Sequence, residues 1–68
     1  MELSARNQLR GKIKEVKRGT VVAEIVVQID GGQTIVSTIS LASVDRMNLK
    51  EGDAVTAFIK ASEVIVGK

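Results

Sequence analysis

Thr20-Val21-Val22-Ala23-Glu24-Ile25-Val26-Val27-Gln28-Ile29-Asp30-Gly31-Gly32 is the stretch that decides the fold. Its odd positions Val21, Ala23, Ile25, Val27 and Ile29 are all apolar, the period-2 signature of a strand with one face on a core. The even positions mix Val22 and Val26 with Glu24, Gln28 and Asp30, so the strand wants cover on its second face as well. Asp30-Gly31-Gly32 then falls between β-branched runs, which signals a hairpin because glycine reaches the positive φ of a tight turn at no steric cost. The returning strand is Gln33 to Ile39, where Thr34, Ser37, Thr38 and Ser40 interleave with Ile35, Val36 and Ile39.

Upstream, Leu9, Gly11 and Ile13 share one parity and Arg10, Lys12 and Lys14 the other, which predicts a half-buried first strand. Val16 is out of phase with that face, so a bulge is expected near Glu15. Lys17-Arg18-Gly19-Thr20 reads as the turn into the second strand, with Gly19 free to take a positive φ. Downstream, Ser40 has the chemistry of an N-cap, and Leu41, Val44 and Met47 follow at helical spacing. Leu49-Lys50-Glu51-Gly52-Asp53 predicts a turn, Ala54 to Lys60 a fourth strand, Ala61-Ser62-Glu63 a break, and Val64-Ile65-Val66 a short fifth strand. The order β-β-β-α-β-β without repeat or linker predicts one all-β domain over residues 1–68, a five-stranded Greek-key OB-like barrel with one short helix.

A chain of 68 residues buries only roughly 60% of the surface its unfolded form exposes. Domains of this size lean on disulfides, metals or partners. Cys and His are both absent, which leaves self-association, and the apolar Val22 and Val26 on the outer face of the second strand agree with an obligate oligomer. Without a basic and apolar leader pattern or a long apolar run, the expectation is a cytoplasmic protein with no membrane partner. The lack of His, Cys and any carboxylate in a catalytic motif argues against an enzyme, and eight scattered acidic residues do not make a cation site. The net charge of +2 mildly favours anionic ligands. Phe58 is the sole aromatic residue, which weighs against an OB-type nucleic-acid-binding module, the main alternative function, because such modules stack bases on several rings. A purely structural subunit without ligand is the third reading.

Three places supply donors suited to an anion. Ser4-Ala5-Arg6, just before the first strand, combines a hydroxyl with a planar guanidinium fork. Ser40-Leu41-Ala42-Ser43 puts two hydroxyls at the start of the short helix, where backbone N–H groups also favour negative charge; ordinary capping by Ser40 is the alternative reading of that pattern. Lys60-Ala61-Ser62 sets an ammonium at a strand end beside a break.

Taken together, Ser4-Ala5-Arg6-Asn7-Gln8 with Gly11, Ser40-Leu41-Ala42-Ser43-Val44, and Lys60-Ala61-Ser62-Glu63-Val64 closely resemble the molbindins, the small molybdenum-pterin-binding proteins, over essentially the whole chain. The resemblance implies an OB-like barrel assembled as a homohexamer, a trimer of dimers, that holds molybdate or tungstate as a bound oxyanion at subunit interfaces and serves molybdenum storage and homeostasis. Carried over by position, it implies that Ser4, Ala5 and Arg6 of one subunit face Ser40, Ser43, Lys60, Ala61 and Ser62 of a neighbour. Ala61 departs from those relatives that carry Ser after the Lys, which keeps a backbone donor and drops a hydroxyl. A second kind of site is implied near the threefold axis, for which Lys17, Arg18, Gly19 and Thr20 are the candidates. In the main shell every group is a donor, an arrangement suited to a fully deprotonated dianion and poorly suited to phosphate, whose O–H would lack an acceptor.

Overall fold

In the computed structural model, which describes residues 1–68, the period-2 stretch forms β2 (Val22–Ile29), antiparallel to both β1 (Asn7–Arg18) and β3 (Thr34–Ser40). The other edge of β1 pairs with β4 (Ala54–Ile59), so the sheet order is β3-β2-β1-β4. Three consecutive hairpin-linked strands are thus joined by a fourth that returns beside the first. Between β3 and β4 the chain makes one helix, α1 (Leu41–Met47).

The sheet curls because β1 serves two partners in succession. Its first half, from Asn7 to Lys12, pairs with β4, and from Gly11 onward it pairs with β2. Gly11 sits at the handover, facing Ile29 on one side and Val55 on the other. A Cβ there would lie 2.1 Å from the Gln28 carbonyl oxygen, so only glycine fits. Further along, Ile13 faces Val27 and Glu15 faces Val26, which leaves Lys14 as the extra residue of a bulge. The expected phase change is therefore real, and it returns Val16 to the core side. The β2–β3 hairpin is also as expected, with Gly31 at φ 103° and Gly32 at φ 106°.

Ile13, Ala23, Ile25 and Val27 line the concave face, and α1 lays Val44 across them, only 1% exposed. Arg10, Lys12 and Lys14 point outward into solvent. Ser40 caps α1 by accepting the Ser43 N–H at 3.1 Å, and Asn48 closes it in the left-handed conformation at φ 49°. The following turn is stitched to β1 by Ile13 N donating to Asp53 O at 3.0 Å and Gly52 N donating to Ile13 O at 2.8 Å.

Three expectations need correction. Lys17 and Arg18 belong to β1 and pair with Glu24 and Ala23, because the register after the bulge runs on to the strand end. Gly19 follows them without a positive φ; glycine is needed there because a Cβ would meet the Val22 carbonyl oxygen at 2.7 Å. Finally, the sheet has four strands where five were expected. Ala61–Glu63 forms a single 3-10 turn, and beyond it Ile65 and Val66 are 93% and 89% exposed. A strand exists only where an edge accepts its backbone bonds, and Val64–Val66 reaches none within the chain. The barrel accordingly stays open between β3 and β4, leaving an apolar cleft of about 440 Å³ walled by Ile35 and Ile39 on one side and Val55, Ala57 and Ile59 on the other.

Candidate oxyanion site

Asn7 faces Ile59 across β1 and β4, and its side-chain amide donates to the Ile59 carbonyl at 3.0 Å. Residues 4–6 and 60–62 therefore leave the sheet side by side. This brings Ser4, Ala5 and Arg6 together with Lys60, Ala61 and Ser62 at one end of the molecule. Gln8 steadies the lead-in by donating to the Ala5 carbonyl at 3.0 Å. Arg6 and Lys60 are exposed and take no part in the ion pairs of the chain, which use Lys17, Arg18 and Lys50. Glu63 lies in the same turn as Ala61 and pairs with neither cation. The backbone N–H groups of Ala61 and Ser62 find no acceptor, since the turn begins at Lys60 without a side-chain cap. Two cations, two hydroxyls and free N–H groups thus lie at one edge of the sheet without a partner in the chain.

Ser40 and Ser43 sit elsewhere. Ser40 pairs with Val22 at the far end of β2, beyond the Arg18–Ala23 pair that ends β1. They belong to the β3–α1 junction, whereas Arg6 and Lys60 flank the Asn7–Ile59 pair of β1 and β4. This regroups the donors. The β1–β4 register puts Lys60 beside Arg6, while Ser40 follows Ile39, which walls the cleft opposite Ile59.

Within the serine cluster, Ser40 Oγ accepts the Ser43 N–H and donates to Ser43 Oγ at 2.8 Å. Arg46, one turn further along α1, donates through Nη2 to Ser43 Oγ at 3.4 Å. Arg46 escaped the sequence reading, although its i+3 spacing from Ser43 puts both on one helix face. Asp45 beside it is held by Arg18 at 2.6 Å.

The candidate second site has few free donors. Lys17 lies between Glu15 at 3.6 Å and Glu24 at 3.7 Å, Arg18 is paired with Asp45, and the Gly19 N–H donates to Val22 O at 2.9 Å. Thr20 is exposed. No group of His, Cys, Asp or Glu is arranged to hold a metal cation, and no helix is long and apolar enough to cross a membrane.

Residues 3–66 match the TOBE domain family. Molybdenum-pterin-binding protein 3 of Clostridium pasteurianum is 48% identical over 66 residues, covering 97% of each chain. Among solved structures, a molybdate-binding protein from Sporomusa ovata superimposes with a TM-score of 0.94 at 43% identity over the full length of both chains. The cytoplasmic molybdate-binding protein ModG, solved with molybdate bound, gives a TM-score of 0.92 at 42% identity, covering 96% of this chain and 46% of that one.

Proposed function

From the premise that this chain belongs to the TOBE-domain family, alongside the molybdenum-pterin-binding proteins, we propose that it is a molybdate-binding protein that stores or buffers the oxyanion. The reading is of a binding module and not an enzyme. The observation that carries it is that the β1–β4 register sets Arg6, Lys60, Ser4 and the N–H groups of Ala61 and Ser62 at one sheet edge, none with a partner in the chain. Such a shell holds a tetrahedral dianion by charge-assisted hydrogen bonds. Tungstate, nearly equal in size and charge, belongs to the same ligand class. The cytoplasm is the compartment we assign, as the ModG description states for that protein.

The site is shared between subunits. One subunit supplies Ser4, Arg6, Lys60 and Ala61, which the β1–β4 register sets side by side, and a neighbour supplies Ser40 and Ser43. Support for a homo-oligomer, a trimer of dimers in the resemblance above, comes from the surface of the lone chain. It exposes Val22, Val36, Ile65 and Val66 and leaves the cleft between β3 and β4 unfilled. Apolar surface of this kind marks association.

Thermal melts in equal concentrations of molybdate, tungstate, sulfate and phosphate test the function. A ligand that binds only the folded assembly stabilises it by about 2.7 kcal/mol per site at a hundred times its dissociation constant. The melting temperature should rise with molybdate and tungstate. Sulfate, being smaller, would leave its hydrogen bonds stretched, and protonated phosphate would leave an O–H unpaired at about 1–3 kcal/mol. Equal stabilisation by sulfate and molybdate would reduce the site to a generic anion surface.

A further inference from the structure

The opening motif Ser4-Ala5-Arg6-Asn7-Gln8 contributes Ser4 and Arg6 to the proposed site, which leaves its two amides without a role. Asn7 is the first residue of β1 and Ile59 the last of β4, so their pair ends the β1–β4 ladder. Ladder ends fray, because nothing beyond them holds the two strands together. Here the half-buried Asn7 adds a side-chain link, with Nδ2 donating to the Ile59 carbonyl oxygen at 3.0 Å across 52 positions of sequence. Gln8 Nε2 donates in the same way to the Ala5 carbonyl oxygen at 3.0 Å, three residues back along the chain.

Each of these carbonyls belongs to the peptide unit that leads into a cation. The Ile59 carbonyl is bonded to the Lys60 nitrogen, and the Ala5 carbonyl to the Arg6 nitrogen. A peptide unit is planar from one Cα to the next. Holding the carbonyl oxygen therefore also holds the Cα from which the cationic side chain departs. It further gives each carbonyl, an acceptor that a dianion avoids, a donor of its own. We propose that Asn7 and Gln8 are positioning residues for oxyanion binding: Asn7 aims Lys60 and Gln8 aims Arg6, each by anchoring the peptide unit before the cation. The proposal rests on the reading that Arg6 and Lys60 bind molybdate. Neither amide needs to touch the anion. The Asn7 link should matter more, because it is half-buried and joins two strands, whereas the Gln8 bond is local and exposed.

Crossed double-mutant cycles, read by calorimetric titration with molybdate, test this. Leu and Met match Asn and Gln in shape but donate nothing, so Asn7→Leu and Gln8→Met are each made in the native chain, in Lys60→Ala and in Arg6→Ala. Asn7→Leu is expected to weaken binding roughly three- to tenfold, and Gln8→Met roughly two- to threefold. The loss from Asn7→Leu should shrink below about twofold in Lys60→Ala and persist in Arg6→Ala, because the cation it aims is gone only in the first. The loss from Gln8→Met should vanish in Arg6→Ala and persist in Lys60→Ala. Where a background binds too weakly to titrate, the rise in melting temperature at high molybdate closes the cycle. Asn7→Ala replaces Asn7→Leu if the latter does not fold, and Gln8→Met, which removes only an exposed bond, should keep the native ligand-free melting temperature. Native-like affinity in Asn7→Leu overturns the proposal. So does a loss of equal size in both backgrounds, the signature of a purely structural link or of an amide that binds the anion itself. A native chain that binds no molybdate overturns the functional reading and this inference with it, whereas native binding with flat cycles overturns this inference alone.

Discussion

At the Arg18 end of β1 the chain closes on itself: α1 lays Val44 on the core at 1% exposure, Arg18 reaches Asp45, and Ser40, Ser43 and Arg46 bond to one another. At the Asn7 end it stays open. Arg6 and Lys60 project unpaired, the N–H groups of Ala61 and Ser62 lack acceptors, and Ile65 is 93% exposed. The contrast shows how so small a domain distributes its means. It completes one end with a helix and leaves the other to be completed from outside. The closed end offers donors already ordered by their neighbours, and the open end offers charge.

The largest effect on this contrast should come from Val44→Asp, which removes the closed end by burying a carboxylate with no partner. A loss of about 4 kcal/mol or more is expected, read as absence of a cooperative melt. Ile65→Asp is its counterpart at the open end. It should leave the circular dichroism of the fold intact at high concentration while lowering the sedimentation coefficient, and an unchanged assembly would show that Val64–Val66 plays no part in association.

Gly11→Ala acts at the handover between the two ends. A Cβ placed 2.1 Å from the Gln28 carbonyl oxygen must push β1 and β2 apart, at a cost of about 3 kcal/mol, measured by denaturant titration. A loss below about 1 kcal/mol would mean that the curl of β1 relaxes easily.

Binding tests the assignment of donors to ends. Arg6→Ala and Lys60→Ala should each weaken molybdate by about 1.5–3 kcal/mol, roughly ten- to a hundredfold, without lowering the melting temperature of the free protein. Subunit mixing sharpens the point. Arg6→Ala mixed with Ser43→Ala should regain intact sites, because the two lesions fall on opposite halves of a shared site. Arg6→Ala mixed with Lys60→Ala should not, because both lie in the same half. Recovery in the second mixture would restore the grouping that the resemblance implied.

The smallest effect is expected from Arg18→Ala. Its ion pair with Asp45 has both side chains more than half exposed, at 51% and 59%, so about 0.5 kcal/mol is at stake. Double-mutant analysis with Asp45→Ala would measure it, and a coupling well above 1 kcal/mol would make the pair a structural clasp for α1.

Much of this is legible in the sequence. The alternation of β2, the Gly31-Gly32 hairpin, the bulge announced by Val16 and the Ser40 cap all rest on residues within a few positions of one another, and local backbone preference acts over that range. The three donor motifs are legible for the same reason. Val64–Val66 misled, since β-branched composition states a preference for strand and says nothing about whether an edge is within reach.

The sequence by itself determined the first four strands, the helix and the residues able to offer donors to an anion, because each is a property of side chains and their near neighbours. Only the tertiary structure decided that Lys60 stands beside Arg6, that the barrel stays open between β3 and β4, and that Arg46 turns to a serine while Arg18 takes its acidic neighbour. These follow from register and from which side chain reaches a partner first, and both are set by contacts between residues far apart in the chain.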